Sequence, residues 1–471
     1  MKPASSLLLT AVLGLAAPLR ADMPPTPFKP DGNPDSAYMV PDELNLDYAL
    51  SFALDNNFAI RQAKERLRQQ EGVVLEASAR TIPNLAVNSG YTGNGRGLTQ
   101  SFSATVPVNT RSWSLGVTAT QTLFAGGAIR AGLAGAASAR SAAVAELQAV
   151  VNDALLDVRT RFYAVLVSRE RIKVQEQNVE LLRHQFQDVK SRYEAGTVSN
   201  FEVLRAEVAL ANAQPPLISA RNNHRLAVED LRQALGFTTH DPATLRKIPE
   251  FVGTLDYAPL PLPLDLAAAV AAARAQRPEL QRLAQLVAAR SQDVRRQRAG
   301  YLPTLSLSGG YQLRNAPYAF TPSGLRVGTN RLNDALGDWT FGLQGSWAVF
   351  DGRATTGRLR QARSSLAQAE LSLTQAQLAI DVEVRRACLQ YQEATELAEA
   401  SKKVVEQAEE AVRLADARYS AGTATQLDVL QARTDLTTAR LNQLQAYYSF
   451  NVANANLRRA TGLPDALVAG R

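Results

Sequence analysis

The sequence predicts a mainly helical chain with β-strands, in which long coiled-coil helices join a sheet of four strands and one unit is written twice. Three observations predict it. The phrase RYEAGTVSNFEVL at 192–204 returns as RYSAGTATQLDVL at 418–430. Apolar residues recur at every seventh position across long, almost proline-free runs, which is the seam of a coiled coil. Between those runs, short segments alternate apolar with small polar side chains, the period of a strand.

In chain order, residues 1–21 read as a secretory signal. Lys2 supplies a basic start, Leu7–Ala17 an apolar run, and Ala21 stands before a cleavage point. The run is too short to be a membrane span. Residues 22–41 hold six prolines and read as extended chain. Residues 42–81 read as helices. Residues 82–125 read as a strand pair, 83–92 and 112–124, around a polar loop at 93–111. Residues 126–237 read as a long helical hairpin. A second proline-rich stretch, 238–263, is a linker. The order then returns: helices at 264–300, a strand pair within 301–351 (303–313 and 338–350) around a loop at 314–337, a hairpin over 352–463, and a tail at 464–471.

The two halves share more than their order. Without gaps, residues 192–237 match 418–463 at 16 of 46 positions. IPNLAVNSGY at 82–91 answers LPTLSLSGGY at 302–311, and TLFAGG at 122–127 answers AVFDGR at 348–353. Each repeated RY-x-A-G-T phrase reads as a hairpin tip. Gly196 and Gly422 suit the left-handed residue that closes a helix. Ser199 and Thr425 suit the N-cap of the next one. Glu202 and Asp428, three residues later, give the pattern of a capping box, with Glu the better fit.

The first seam runs through Val151, Val158, Val165, Ile172, Val179, Phe186 and Tyr193, and the second through Val384, Tyr391, Ala398, Val405, Val412 and Tyr419. A helix over 128–194 would be roughly 100 Å long. The segments after each tip are about half as long, so helices at 57–81 and 279–300 are expected to stack on them end to end. Pro215–Pro216 predicts a bend or break near 213–217, in the first copy alone.

In the strands, one parity is apolar: Leu85, Val87, Tyr91; Trp113, Leu115, Val117, Leu123; Leu305, Leu307, Tyr311; Trp339, Phe341, Leu343, Trp347, Val349. The other is small and polar, as at Asn88, Thr118, Ser306, Ser308 and Gln344. Strand length and aromatics near strand ends favour a membrane barrel over a half-buried sheet. Four strands cannot close a barrel, and an open edge in lipid leaves backbone groups unpaired. Several chains must therefore share one barrel: two would give eight strands, three would give twelve. The small polar parity suits the wider, wet lumen, whose wall the helices would continue.

Four features then coincide: the twice-written Y-x-A-G-T followed by E/D-V-L, L/V-F-x-G-[GR] after each second strand, P-x-L before each first strand, and the duplication itself. On these the chain, over residues 42–463, resembles the TolC-like outer-membrane efflux protein family, the outer membrane factor of tripartite export systems. The resemblance implies a homotrimer in the outer membrane of a Gram-negative-type cell, reaching into the periplasm. It implies one transmembrane β-barrel with four strands per chain, continuous with a coiled-coil α-helical barrel and belted by an equatorial region at 238–263 and the chain ends. The implied function is a passive exit channel of a tripartite efflux or type I secretion system, carrying small molecules or proteins. The implied partners are outer-membrane lipid, a periplasmic adaptor (membrane fusion) protein and an inner-membrane RND or ABC pump. The last two open the periplasmic tips.

The resemblance also assigns residues. Glu202 and Asp428 match acidic gate positions, and Tyr419 matches a tyrosine that latches neighbouring hairpins. Gln431 stands where some members carry a second acid, and Ala424 where others carry a basic latch. Gly196, Thr197, Gly422 and Thr423 become the adaptor-docking tips, and Trp113, Trp339 and Trp347 the membrane-interface aromatics. Independently, Asp428, Gln431 and Asp435 fall on one helix face, and three copies of Asp428 would form a negative ring. A reading that needs no pore makes Glu202 and Asp428 helix caps, and Tyr193 and Tyr419 seam residues.

Phosphate-loop, H-E-x-x-H and G-x-S-x-G motifs are absent. His184, His224 and His240 lack ligand spacing; the first two read as solvated on helices and the third lies in the linker. Cys388 is the single cysteine, which excludes an internal disulfide and a Cys-rich metal site. An enzyme, a cofactor and a metal are not expected. The net charge of +7 comes with no basic cluster on a docking motif, so nucleic acid is not an expected partner. The alternative is a secreted structural coiled coil, an envelope tether or adhesin stalk. It leaves unexplained the strands inserted at the same place in both halves.

Overall fold

The structure, a computed structural model, describes residues 43–93, 111–237, 248–255, 257, 265–315, 319–321, 324–326 and 335–463. The expected signal, the N-terminal extension, most of the first loop, parts of the second, much of the linker with His240, and the tail lie outside the described residues. In order the elements are β1 (Glu43–Leu44), α1 (Leu46–Asn56), α2 (Phe58–Ala79), β2 (Asn84–Gly93), β3 (Arg111–Ala125), α3 (Ala128–Glu194), α4 (Asn200–Leu235), β4 (Glu250–Phe251), α5 (Leu266–Gln276) and α6 (Pro278–Arg298). A 3-10 turn at Ala299–Tyr301 leads to β5 (Thr304–Asn315), β6 (Ala319–Thr321), β7 (Gly324–Arg326), β8 (Ala335–Ser346), α7 (Ala354–Ser420) and α8 (Gln426–Ala460).

The two long helices, α3 and α7, are 67 residues each. Neither contains a proline, and nothing in their sequence interrupts the ladder of backbone hydrogen bonds. α3 packs against α4, α2 and α6; α7 packs against α8, α6 and α5. The seam is deepest in the middle. Val158, Val165, Val384 and Ala398 are fully buried, whereas Tyr193 at the tip is exposed.

The short helices stack end to end, and Asn57 shows how. Its side-chain oxygen accepts from the backbone N–H groups of Ala59 and Ile60, capping α2. Its amide nitrogen donates to the Ala234 carbonyl at 2.6 Å, satisfying the last turn of α4. Gly236 follows with φ 74°, and a Cβ there would collide with the Asn56 carbonyl oxygen. One column therefore passes from α4 to α2. Further along the chain Gly462 ends α8 against Gln276 and Arg277, at the head of α6.

Two apolar clusters hold the middle of the molecule. In one, Leu155, Phe162 and Leu166 of α3 meet Leu50 of α1, Val228 and Leu231 of α4, and Phe251. In the other, Val384 and Tyr391 of α7 meet Phe450 and Leu457 of α8 and Ala273 of α5. β1 pairs in parallel with β4, which draws the linker strand across the first cluster.

Three expectations about local structure need correction. α4 runs unbroken through Pro215 and Pro216. Each proline removes one N–H donor, but both prolines are exposed, as are Ala211 and Asn212, whose carbonyls lose those donors. The buried side of the same turn, Ala213 and Leu217, packs with Val179 and Leu182 of α3 and holds the helix in place. Second, β8 stops at Ser346, so Trp347 and Val349 lie beyond the strand. Ser346 pairs with Thr304, the first residue of β5; Pro303 before it has no N–H to offer. Third, the expected loop at 314–337 contains a short hairpin, β6 with β7.

Candidate functional site: the hairpin tips and an exposed sheet face

Each tip is built by the same turn. The Gly196 N–H donates to the Tyr193 carbonyl and the Thr197 N–H to Arg192; Gly422 and Thr423 repeat this on Tyr419 and Arg418. Gly196 and Gly422 sit at φ 75° and 74°. The hydroxyls of Thr197 and Thr423 donate back to Arg192 and Arg418, at 2.9 and 3.1 Å. These hydroxyls are used inside the turn, so the tips present small surfaces and backbone outward.

The capping boxes are the reverse of the expectation. Thr425 and Asp428 form the complete box: the Asp428 carboxylate accepts from the Thr425 N–H at 2.8 Å, and the Thr425 hydroxyl oxygen accepts from the Asp428 N–H at 3.3 Å. Ser199 has no side-chain cap bond, and Glu202 does not fold back to it. The shorter Asp reaches the cap with one fewer rotatable bond to fix, whereas Glu202 leaves its carboxylate out. The Thr425 backbone and hydroxyl hydrogen bonds, helped by Arg418, hold the Asp428 carboxyl below the usual Asp range.

A folded-state value below the unfolded one stabilises above the unfolded value, and that stability is lost as pH falls through the lower folded value. The melting temperature of Asp428→Asn should therefore fall below that of the parent at pH 6, with the gap closing as pH drops below the usual Asp range of about 3.9. A pH-independent gap would defeat this account.

The structure brings some predicted residues together and leaves others apart. Tyr419 receives the Arg192 guanidinium over its ring at 5.3 Å, which joins the two tips of one chain. Gln431 donates to Asp435 at 2.9 Å and does not touch Asp428. The residues that lace α8 to its neighbours were not read from the sequence. Arg433 reaches Gln185 of α3 at 2.9 Å and Asp416 of α7 at 3.0 Å; Arg440 reaches Gln177 at 3.3 Å and Glu409 at 2.9 Å. Gln426, the first residue of α8, is buried with neither amide atom partnered among the described residues. The expectation of a solvated His224 also fails: it is half-buried, 2.9 Å from the Ser168 hydroxyl, and burial lowers its pKa. His184 is exposed beside Glu180. Among the described residues no cluster of metal-ligating side chains occurs.

At the other end of the long helices lies an antiparallel sheet in the order β2-β3-β5-β8. The register places Tyr91 opposite Trp113, Val117 opposite Tyr311, Tyr311 opposite Trp339, and Leu307 opposite Leu343. These share one face with Leu85, Val87, Leu115 and Phe341. A bulge between Thr122 and Phe124 adds Leu123 to β3. The apolar face is uncovered: Trp339 is 74% exposed, Phe341 70% and Leu343 61%, while Trp113 is half-buried. Trp347 is exposed, and its ring nitrogen donates to the Tyr301 carbonyl at 3.1 Å. Trp339 lies within β8 and Trp347 one residue past its end.

The polar face, with Asn84, Thr120, Thr122, Thr304 and Ser306, borders a concavity of about 1240 Å³ shared with Arg80, Arg290 and Arg296. β2 and β8 each pair on one side only among the described residues. No described helix is long and apolar enough to cross a membrane.

Comparison with known proteins bears on this arrangement. The family model described as outer membrane efflux protein matches residues 49–237 and 269–463. Outer membrane protein TolC of Escherichia coli is 24% identical over 313 residues, covering 65% of this chain and 61% of TolC. The chain thus spans less than two thirds of that relative. Protein CyaE of Bordetella pertussis is 27% identical over 402 residues, 85% of this chain and 80% of CyaE. The fold is similar to that of CusC, whose crystal structures concern folding and transmembrane channel formation: the TM-score is 0.73 at 18% identity, covering 88% of this chain and 92% of that one.

Proposed function

We propose, from the premise that the chain belongs to the outer membrane efflux protein family, that three copies form one passive exit channel. The protein lies in the outer membrane and extends into the periplasm. In the proposed assembly the four strands of each chain complete a twelve-stranded barrel, and the helices continue it as a tunnel. One observation supports this most directly: a sheet whose apolar face is uncovered and whose two edges are each paired on one side only among the described residues. Lipid answers the face and neighbouring chains answer the edges.

In this reading the tips of α3–α4 and α7–α8 form the periplasmic mouth, with six tips in a trimer. An adaptor docks on the surfaces around Gly196, Thr197, Gly422 and Thr423, and an inner-membrane RND or ABC pump supplies the energy. The cargo is a small molecule in an efflux system or a protein in type I secretion. In this reading Asp428 puts a carboxylate at the mouth, held below the usual Asp range within one chain by its Thr425 hydrogen bonds, and three copies give a negative ring. Glu202 adds an acid on the first hairpin.

Native mass of the protein extracted from outer-membrane fractions in mild detergent tests the assembly. Three chains are expected; a soluble monomer or dimer would refute it. In planar bilayers, Asp428→Ala is expected to lower cation preference, since it removes one negative charge per chain from the ring. Unchanged selectivity would leave Asp428 as a cap alone.

A further inference from the structure

Where the second strand of each repeat hands over to its long helix, the repeats differ at a telling position. The first reads Phe124-Ala125-Gly126-Gly127 and the second Phe350-Asp351-Gly352-Arg353. In both, the residue before the helix is left-handed: Gly127 at φ 87° and Arg353 at φ 71°. Arg353 is the one non-glycine residue with positive φ among the described residues. A side chain is strained in that region and glycine is not. Local backbone chemistry therefore favours glycine here, and something else must favour a guanidinium.

The helix does not. A cation at a helix N-terminus opposes the macrodipole, and Arg353 makes no side-chain cap bond. It is exposed and has no ion pair among the described residues. The nearest acid in sequence, Asp351, is already engaged. It accepts from the Thr355 N–H at 2.7 Å and lies 3.6 Å from Arg358.

The surroundings identify what the guanidinium meets. Trp347, Val349 and Phe350, just before it, are 60%, 77% and 84% exposed. Tyr301 joins them. Its carbonyl receives the Trp347 ring N–H, and its hydroxyl lies 3.0 Å from the Thr356 hydroxyl in the first turn of α7. An apolar and aromatic belt followed at once by a basic group is the layout of a membrane–water interface. There aromatic rings sit at headgroup level and a guanidinium pairs with phosphate. This is the helix end of the sheet, hence the periplasmic leaflet.

We infer that Arg353, with Tyr301, Trp347 and Phe350, forms a site for the headgroup phosphate of an anionic phospholipid in the periplasmic leaflet, one site per chain. The inference rests on the membrane reading of the sheet proposed above. It assigns the strained backbone a purpose: the left-handed turn places a charge at the edge of the belt, at the position where the first repeat has Gly127.

Native mass spectrometry of the full-length protein in detergent, with phosphatidylglycerol or phosphatidylcholine added, tests it. Both lipids carry phosphate, and only the first carries net charge. The parent is expected to retain about fivefold more phosphatidylglycerol, the preference one basic residue gives near a membrane surface. R353G, whose glycine suits the backbone, should assemble as the parent does and retain both lipids equally. Equal retention by the parent, or an unchanged preference in R353G, overturns the site. Dissociation of the R353G oligomer overturns it too, because Arg353 would then be a subunit contact. A parent that is not a membrane-bound trimer defeats the membrane reading, and this site with it, before any lipid is added.

Discussion

Leu343→Lys is expected to abolish the detergent-stable oligomer and to leave dispersed or degraded chains. Leu343 lies mid-strand in β8, opposite Leu307 and beside Phe341, and it is 61% exposed on the apolar face. A Lys at the lipid-facing midplane of a barrel costs about 2–4 kcal/mol. Three copies in one ring would then cost about 6–12 kcal/mol, comparable to the whole stability of a typical domain. The neighbour supplies the control. Gln344 has the opposite parity and pairs in register with Ser306, which borders the polar concavity. Gln344→Lys should assemble normally and alter conductance instead. Assembly lost equally in both variants would mean that β8 is simply intolerant of charge. Assembly lost only in Gln344→Lys would reverse the sheet.

That contrast shows which parts of the molecule can be read from sequence. Parity is local: each strand residue declares its face, so Leu343 and Gln344 are separable without coordinates. The tip turns are local as well, since Gly196 and Gly422 are demanded by their own backbone. The heptad seam survives because its period is repeated many times. Failures occur where the outcome depends on a partner distant in sequence. Trp347 fits the strand pattern, but its partner strand begins only at Thr304, so it falls outside.

Pro215 and Pro216 break a helix by local rules, yet the packing of Ala213 and Leu217 on α3 outweighs two lost hydrogen bonds. His224 looks like any helix-face histidine until Ser168, 56 residues away, and Phe251 close over it. At the candidate gate, the acids were visible and their use was not. Choosing Asp428 over Glu202 as the box partner is a matter of side-chain reach, and the Arg192–Tyr419 contact joins hairpins 227 residues apart.

The largest effect away from the sheet is expected at Arg277, which no sequence pattern marks. Its side chain is 4% exposed at the junction of α5 and α6. It donates to Glu279 at 2.7 Å and to Glu383 of α7 at 2.7 Å. Glu383 also accepts from Arg459 of α8 at 2.6 Å, and Arg459 reaches Asp153 of α3 at 2.6 Å. Two guanidiniums and three carboxylates thus tie α6, α7 and α8 together and fasten them to α3. Arg277→Met keeps most of the packing volume but leaves Glu279 and Glu383 with Arg459 alone.

Removing one partner of a buried pair costs about 3–5 kcal/mol, and the lower end applies here because both carboxylates keep some solvent. The sign with pH follows from Glu279. Burial acts to raise its pKa, and the Arg277 hydrogen bond and charge more than offset that, leaving it lowered. In the parent this contribution is present above the usual carboxylate range and is lost as pH falls through the lowered value. In Arg277→Met the burial of Glu279 is less opposed, so the deficit should be fully developed near pH 7 and shrink as Glu279 takes up its proton. Melting temperatures across that range decide it. A deficit that stays constant to pH 3 would mean that Arg277 acts through packing rather than charge.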